Sequence, residues 1–258
     1  MRRGVRIGVG AAVAGVCLIG HGAADEWRAA QAMGGDKSGP DVVKVRSKPA
    51  TSDGMNLEYS MPELRVVTEA PKTAVASQAA DASRTVLLLG NAPLAGNEGE
   101  PVLPVVPCYV VLPQGHVVEK VTVKCGLPEK LPGKHAIRHG ARAIPLSSKV
   151  PHEPARPNPL IYESDAPWPR ERFEVVSVQR KRGVSVLIVN LNPVSYRPKS
   201  GRVSCYRSMG LNVKTRPAPV EARLASKEGI SAKYRPDPIN PLAEQVDNPD
   251  VLGTYEGK

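Results

Sequence analysis

The sequence predicts an all-β protein: an antiparallel β-sandwich or jelly-roll-like domain set between a disordered N-terminal leader and a disordered C-terminal tail. Three observations lead there. Valine dominates the apolar residues of the middle of the chain, and its branched Cβ suits pleated strands better than helices. The 258 residues include 26 Pro and 23 Gly, which mark many turns and irregular stretches. Period-two alternation recurs in segments of strand length. With one Phe, two Trp and seven Tyr, aromatic rings supply little of any core, so one β domain is expected.

The first 24 residues read as an export signal. Arg2, Arg3 and Arg6 form a basic start, residues 8–20 a short apolar run, and Gly22, Ala23 and Ala24 a small-residue cleavage region before Asp25-Glu26. The run is short for a membrane span, and a signal anchor is the alternative. A secreted or periplasmic protein is expected. Residues 25–56 carry Gln, Lys, Ser, Gly, Asp and Pro without periodicity and are expected to be a flexible leader. The β domain is placed at 57–215 and a Pro-rich tail or linker at 216–258.

Within the domain, strands are expected at 64–68 and 85–89, separated by an Ala/Ser/Thr-rich loop over 70–83. Residues 102–112 are apolar but hold two prolines inside the run, which suits an edge or broken strand because proline cannot donate to a ladder. After the turn Pro113-Gln114-Gly115, residues 116–125 alternate: Val117, Val121, Val123 and Cys125 share a face opposite Lys120, Thr122 and Lys124. A hairpin between these two segments is expected. Residues 126–170 carry nine prolines and should cross the surface extended, pinned through Ile161, Tyr162 and Trp168.

Residues 172–179 and 184–191 predict a second hairpin around Arg180-Lys181-Arg182-Gly183, and the nearly all-apolar 184–191 suits a central strand buried on both faces. Residues 202–214 predict one more strand, with Val203, Cys205, Met209, Leu211 and Val213 in phase and Arg207 breaking the face. Beyond 216 the periodicity stops, apart from a short helix expected over 219–227.

Three cysteines remain after the signal, and none has metal-ligand spacing: the nearest pair, Cys108 and Cys125, is separated by sixteen residues. No metal or cofactor is expected. A Cys125–Cys205 disulfide would staple two strands and stabilise the domain by about 2–4 kcal/mol. Pairings through Cys108, or independent buried thiols, stay open. The formal net charge of +10 favours anionic partners, such as surface polymers or an acidic domain. Nucleic acid fits less well, since few aromatics accompany the spread cations.

Several motifs in order resemble the propeptide of gingipain-like cysteine peptidases. Gly99-Glu100-Pro101-Val102-Leu103-Pro104-Val105 is similar to its G-x-P-x-L-P-V entry, and Tyr109 to Gly115 to its apolar strand and Pro/Gly turn. Residues 159–169 resemble its P-x-x-Y-x-S-D-x-x-x-P segment, Arg182-Gly183 its R-G strand opening, and residues 193–201 its P-x-x-Y-x-P-x-x-G turn. The resemblance spans about residues 57–213. It implies a non-catalytic prodomain that assists folding of a caspase-like peptidase domain and restrains it. In that family a peptidase domain follows, and this chain is expected to lack it.

The chain itself offers no catalytic pair. His139-Gly140 matches the family's catalytic His-Gly only superficially, because it lies in a Pro- and Arg-rich loop, and the three cysteines fall in apolar strand patterns where a thiol is inert. No serine lies in a nucleophile elbow, and the histidines show no zincin spacing. Arg180, Lys181 and Arg182 at the hairpin tip are the candidate inhibitory loop, able to enter a pocket selective for basic side chains. A stand-alone module binding anionic surface polymers and a truncated peptidase remnant are the other readings.

Overall fold

In this computed structural model the described residues are 42–51, 54–69, 84–141, 155–181, 183–219 and 242–255. The export signal and the helix expected over 219–227 lie outside them, apart from Pro219. Met55, Leu57 and Tyr59 alternate with Asn56, Glu58 and Ser60, and that alternation builds strand β2 (Gly54–Ser60), whose three large apolar side chains are buried. β2 pairs antiparallel with β1 (Lys44–Thr51) and with β14 (Ser208–Pro217), and β14 in turn with β8 (His116–Cys125), giving the sheet order β1-β2-β14-β8.

The leader expected over 25–56 therefore contributes β1 and the first three residues of β2. β1 leaves no apolar period in the sequence because it is an edge strand, with Lys44, Arg46 and Lys48 exposed and a proline near its end. The pattern of β2 straddles the expected boundary.

A second sheet has the order β10-β11-β7, from β10 (Phe173–Lys181), β11 (Val184–Leu191) and β7 (Val106–Val111). As expected, β11 is central, with six of its eight residues buried. A third comprises β12 (Val194–Arg197), β13 (Arg202–Tyr206) and β9 (Pro128–Lys130), in the order β12-β13-β9. β3 (Leu64–Glu69) pairs with β4 (Arg84–Leu89), and the short β5 (Leu94–Ala95) with β6 (Leu103–Pro104). One apolar core joins the sheets: Leu57, Tyr59, Leu211 and Val213 from the first, Val110, Val186 and Leu187 from the second, Val203 from the third. This is an antiparallel β-sandwich.

Two expected connections differ. The turn after β7 forms, with His116 N donating to Pro113 O at 3.0 Å, yet β7 pairs with β11 while β8 pairs with β14. The turn is a corner between sheets, so no hairpin forms there. The single strand expected over 202–214 is likewise two strands in different sheets. They part at Arg207, which donates Nη1–H to Pro62 O at 2.8 Å and accepts from Met61 N at 2.8 Å through its carbonyl. The residue that interrupts the apolar face is the one that turns the chain. In β8 the alternation also slips once: Lys214 faces Lys120 but Thr215 faces Val118, so that a bulge at Glu119 brings Val118 to the core side.

The largest departure is at the C-terminal end. Instead of leaving the domain as a tail, residues 242–255 lie against it in two 3₁₀ segments, η1 (Ala243–Gln245) and η2 (Pro249–Tyr255). Leu242, Val246, Val251 and Leu252 are buried, each contributing about 1.5–3 kcal/mol by removal from water. Between the two segments, Asp247 and Asn248 act as a substitute strand. Tyr109 N donates to Asp247 Oδ2 (2.8 Å), Asp247 N to Tyr109 O (2.9 Å), Val111 N to Asn248 Oδ1 (2.7 Å) and Asn248 Nδ2 to Val111 O (3.0 Å). The outer edge of β7 is thus paired although no strand of the described residues lies there. Among the described residues, no helix is long and apolar enough to cross a membrane.

Asn248 is fully buried, and replacing it with alanine strands the amide and carbonyl of Val111. Asn248→Ala should lower stability by about 2–4 kcal/mol, read as a reduced urea midpoint; an unchanged midpoint would show that the segment is not docked.

Candidate functional site

The β10–β11 hairpin ends in the tightest reversal its register permits. Lys181 faces Val184 across the reversal, and Gly183 takes φ +82°, open to glycine at little cost. Arg180 is exposed; Arg182 lies outside the described residues. Lys181 is half-buried and donates from Nζ to Gln245 Oε1 at 2.7 Å, so the C-terminal segment ties down the last rung. Tyr255 ties down the next, accepting from Ser185 N at 3.2 Å and donating to Leu112 O at 2.8 Å. Below the tip, β10 leaves Val175, Val176 and Val178 exposed by 40, 50 and 52 %. A bulge between Val175 and Ser177 accounts for adjacent valines both reaching solvent. The result is a braced basic hairpin on a strand that leaves three valines exposed.

Two of the sequence motifs meet in space. Asn158 caps α1 (Pro159–Tyr162), and the chain then runs past Ser164-Asp165 to Trp168. Trp168 and Tyr196 exchange backbone hydrogen bonds of 2.7 and 2.8 Å, and Lys199 N donates to Ser164 O at 3.2 Å. Asp165 Oδ1 accepts from Ser200 N at 3.2 Å, and Arg197 Nη1 donates to Asp165 O at 2.7 Å. The Ser200 hydrogen bond, aided by Arg197 and Arg202, holds the Asp165 carboxyl below its ordinary value of 3.8 against the opposing effect of burial. Tyr196 buries its ring and Tyr162 packs half-buried against the core, and they donate their hydroxyls to His135 O (2.9 Å) and Ile137 O (3.1 Å). A cleft of about 520 Å³ adjoins this junction, lined by Lys130, Leu131, Asp165, Arg197, Arg202 and Ser204 among others. Its acidic group is already engaged in holding the turn.

The third motif joins them. Gly99, at φ +78°, donates to Gly140 O (3.1 Å) and accepts from Asn158 N (2.9 Å). His139-Gly140 is thereby a structural pin. The His139 ring bonds through Nε2 to Ala155 O at 2.8 Å and sits edge-on to Tyr162. Gly140 packs so closely on the carbonyls of Asn97 and Gly96 that a Cβ would collide with them.

The candidate Cys125–Cys205 disulfide is not formed; Cys108, Cys125 and Cys205 are all free thiols, the alternative the sequence left open. Cys125 lies opposite Met209 in the four-stranded sheet, while Cys205 lies between Val194 and Glu129 in another. The corner at Arg207 separates the two frames. Burial pushes all three thiols up, Cys205 to about 11, with Arg207 opposing there and Arg172 opposing at Cys125. Among the described residues no His, Cys, Asp and Glu side chains cluster as metal ligands. Sequence reasoning missed Asp247 and Asn248; their only signal was an Asp-Asn pair between isolated apolar residues and a proline.

No protein-family model and no curated protein matches the sequence. Solved structures do. A complex of the pro- and mature domains of RgpB from Porphyromonas gingivalis aligns at TM-score 0.52 and 16 % identity, covering 67 % of this chain and 84 % of that one. A structure described as giving insight into the zymogenic latency of gingipain K, from the same organism, aligns at TM-score 0.51 and 16 % identity, covering 66 % and 92 %. The fold is that of a gingipain-like propeptide.

Gly140→Ala should cost about 1–3 kcal/mol, because the obstructing atoms are backbone; thermal unfolding measures it. In native alkylation with peptide mapping, Cys125 should react first of these three cysteines. Its rate should still be climbing above pH 9, since its thiolate forms only beyond the ordinary value of 9.0. A disulfide-linked peptide pair would overturn this arrangement.

Proposed function

We propose that this chain is a secreted, non-catalytic prodomain that assists the folding of a caspase-like cysteine endopeptidase domain and keeps it latent. The observation that carries the reading is the fold shared with the complex of RgpB pro- and mature domains and with the structure on the zymogenic latency of gingipain K. The ordered motifs over 99–106, 159–169 and 193–201 add to it, as does the apolar, basic-led N-terminus expected for export.

Latency in this reading is steric and electrostatic. The hairpin of β10 and β11 enters the cleft, Arg180 and Arg182 offer guanidinium groups to a carboxylate-lined specificity pocket, and the exposed valines of β10 cover apolar surface beside it. Lys181 acts differently: its bond to Gln245 keeps the tip aimed, so it is a positioning residue. A peptidase inhibited this way would favour basic side chains at the cleavage site.

The test is inhibition of a caspase-like peptidase that cleaves after arginine. Arg180→Ser with Arg182→Ser, which leaves the Lys181–Gln245 bond in place, should raise the inhibition constant about tenfold or more. Adding Lys181→Ser should raise it further. Unchanged potency in the triple variant dismisses the tip, and no inhibition by the unaltered chain dismisses the latency role.

A further inference from the structure

The sheet β1-β2-β14-β8 buries one face and turns the other to solvent, and the register sets out what the outer face carries. One cross-strand row is Lys48–Asn56–Asn212–Thr122, and the next is Arg46–Glu58–Gly210–Lys124. Lys44 stands beside Ser60 and Ser208 at one end, and Lys214 beside Lys120 at the other. All six cations in these rows are exposed. Glu58 and Glu119 are the carboxylates among them, and each is already bonded: Glu58 to Lys48 at 2.7 Å, Glu119 to Lys214 at 3.7 Å.

The pattern exceeds what protecting a sheet edge requires. Lysines on β1 and β8 would suffice for that purpose, whereas Lys214 lies on an inner strand. Between the two cationic rims, which stand three strand spacings or about 14 Å apart, the floor is uncharged apart from the neutralised Glu58 and, at one end, Lys214, which is paired with Glu119. It offers amides and hydroxyls: Asn56 and Asn212, bonded to each other at 2.7 Å, with Ser60, Ser208 and Thr122. Over Gly210 the floor is open, because a Cβ there would meet nothing nearer than 3.9 Å.

We propose that this face binds an anionic polysaccharide lying along the strands, its acidic groups against the cations of β1 and β8 and its hydroxyls over the amide and hydroxyl floor. The residues in these rows include no aromatic ring on which a base could stack, which disfavours nucleic acid. They include no apolar anchor of the kind that centres a protein interface. The inference is independent of the peptidase reading, since it uses neither the β10–β11 tip nor its exposed valines.

The experiment uses the whole chain with immobilised dextran sulfate as the probe and unsulfated dextran as the blank. Binding should appear at low salt, weaken as salt rises, and be absent on unsulfated dextran. A variant carrying Lys44→Gln, Arg46→Gln, Lys120→Gln and Lys124→Gln should bind about tenfold or more weakly. The pair Lys120→Gln and Lys124→Gln should show an intermediate loss, and it serves alone if the fourfold variant fails to fold. Arg180→Ser with Arg182→Ser, which removes charge elsewhere, should bind as the unaltered chain does. Equal loss in that hairpin variant would show that net charge alone acts and would overturn the proposal. So would undiminished binding by the face variants, or single-stranded DNA bound as tightly as dextran sulfate.

Discussion

The structure depends on how the outer edge of β7 is paired. β7 carries Val106, Cys108, Val110 and Val111 into the core, so its backbone must be buried, and a buried amide or carbonyl without a partner costs about 1–3 kcal/mol. β11 pairs one side. On the other side Asp247 and Asn248 supply, from side chains and one backbone amide, the donors and acceptors that a strand would bring. Tyr59 extends the contact across the sandwich, donating its hydroxyl to Asp247 Oδ2 at 2.9 Å and linking the four-stranded sheet to the same carboxylate. Burial, followed by the charge of Asp247, keeps that phenol protonated and donating.

The consequence reaches the β10–β11 hairpin. The segment that closes β7 also bonds Lys181 through Gln245 and Ser185 and Leu112 through Tyr255. The hairpin tip is therefore aimed by residues about 60 to 75 positions further along the chain, in a part of the sequence rich in proline and poor in periodicity. Two unlike surfaces result. One is a narrow basic hairpin with exposed valines, which we propose enters a peptidase cleft; the other is a broad polar face with cationic rims, which we propose binds a polyanion. Apolar area and directed charge distinguish a protein contact from a diffuse electrostatic one, and these surfaces divide along that line.

Much of the architecture was readable in the sequence because it rests on local rules. The alternation of Val203, Cys205, Met209, Leu211 and Val213 can only serve a half-buried sheet, and all five side chains are buried. The continuous apolar run of β11 requires cover on both faces, and Arg182-Gly183 requires a tight reversal. The ordered motifs were legible too, and their spacing has a physical basis: Ser164-Asp165 and residues 197–200 match because they hold each other.

What the sequence determined by itself was thus the β class, the faces of most strands, the basic hairpin and the motif order. Each follows from side-chain periodicity or turn chemistry over a few residues. Only the tertiary structure decided which sheet each strand joins, that Arg207 and the 113–115 turn are corners, that Cys125 and Cys205 stay apart, and that residues 242–255 complete the domain. Partner choice depends on long-range packing and on hydrogen bonds that side chains such as Asn248 make in place of a strand. Such bonds leave no period in the sequence.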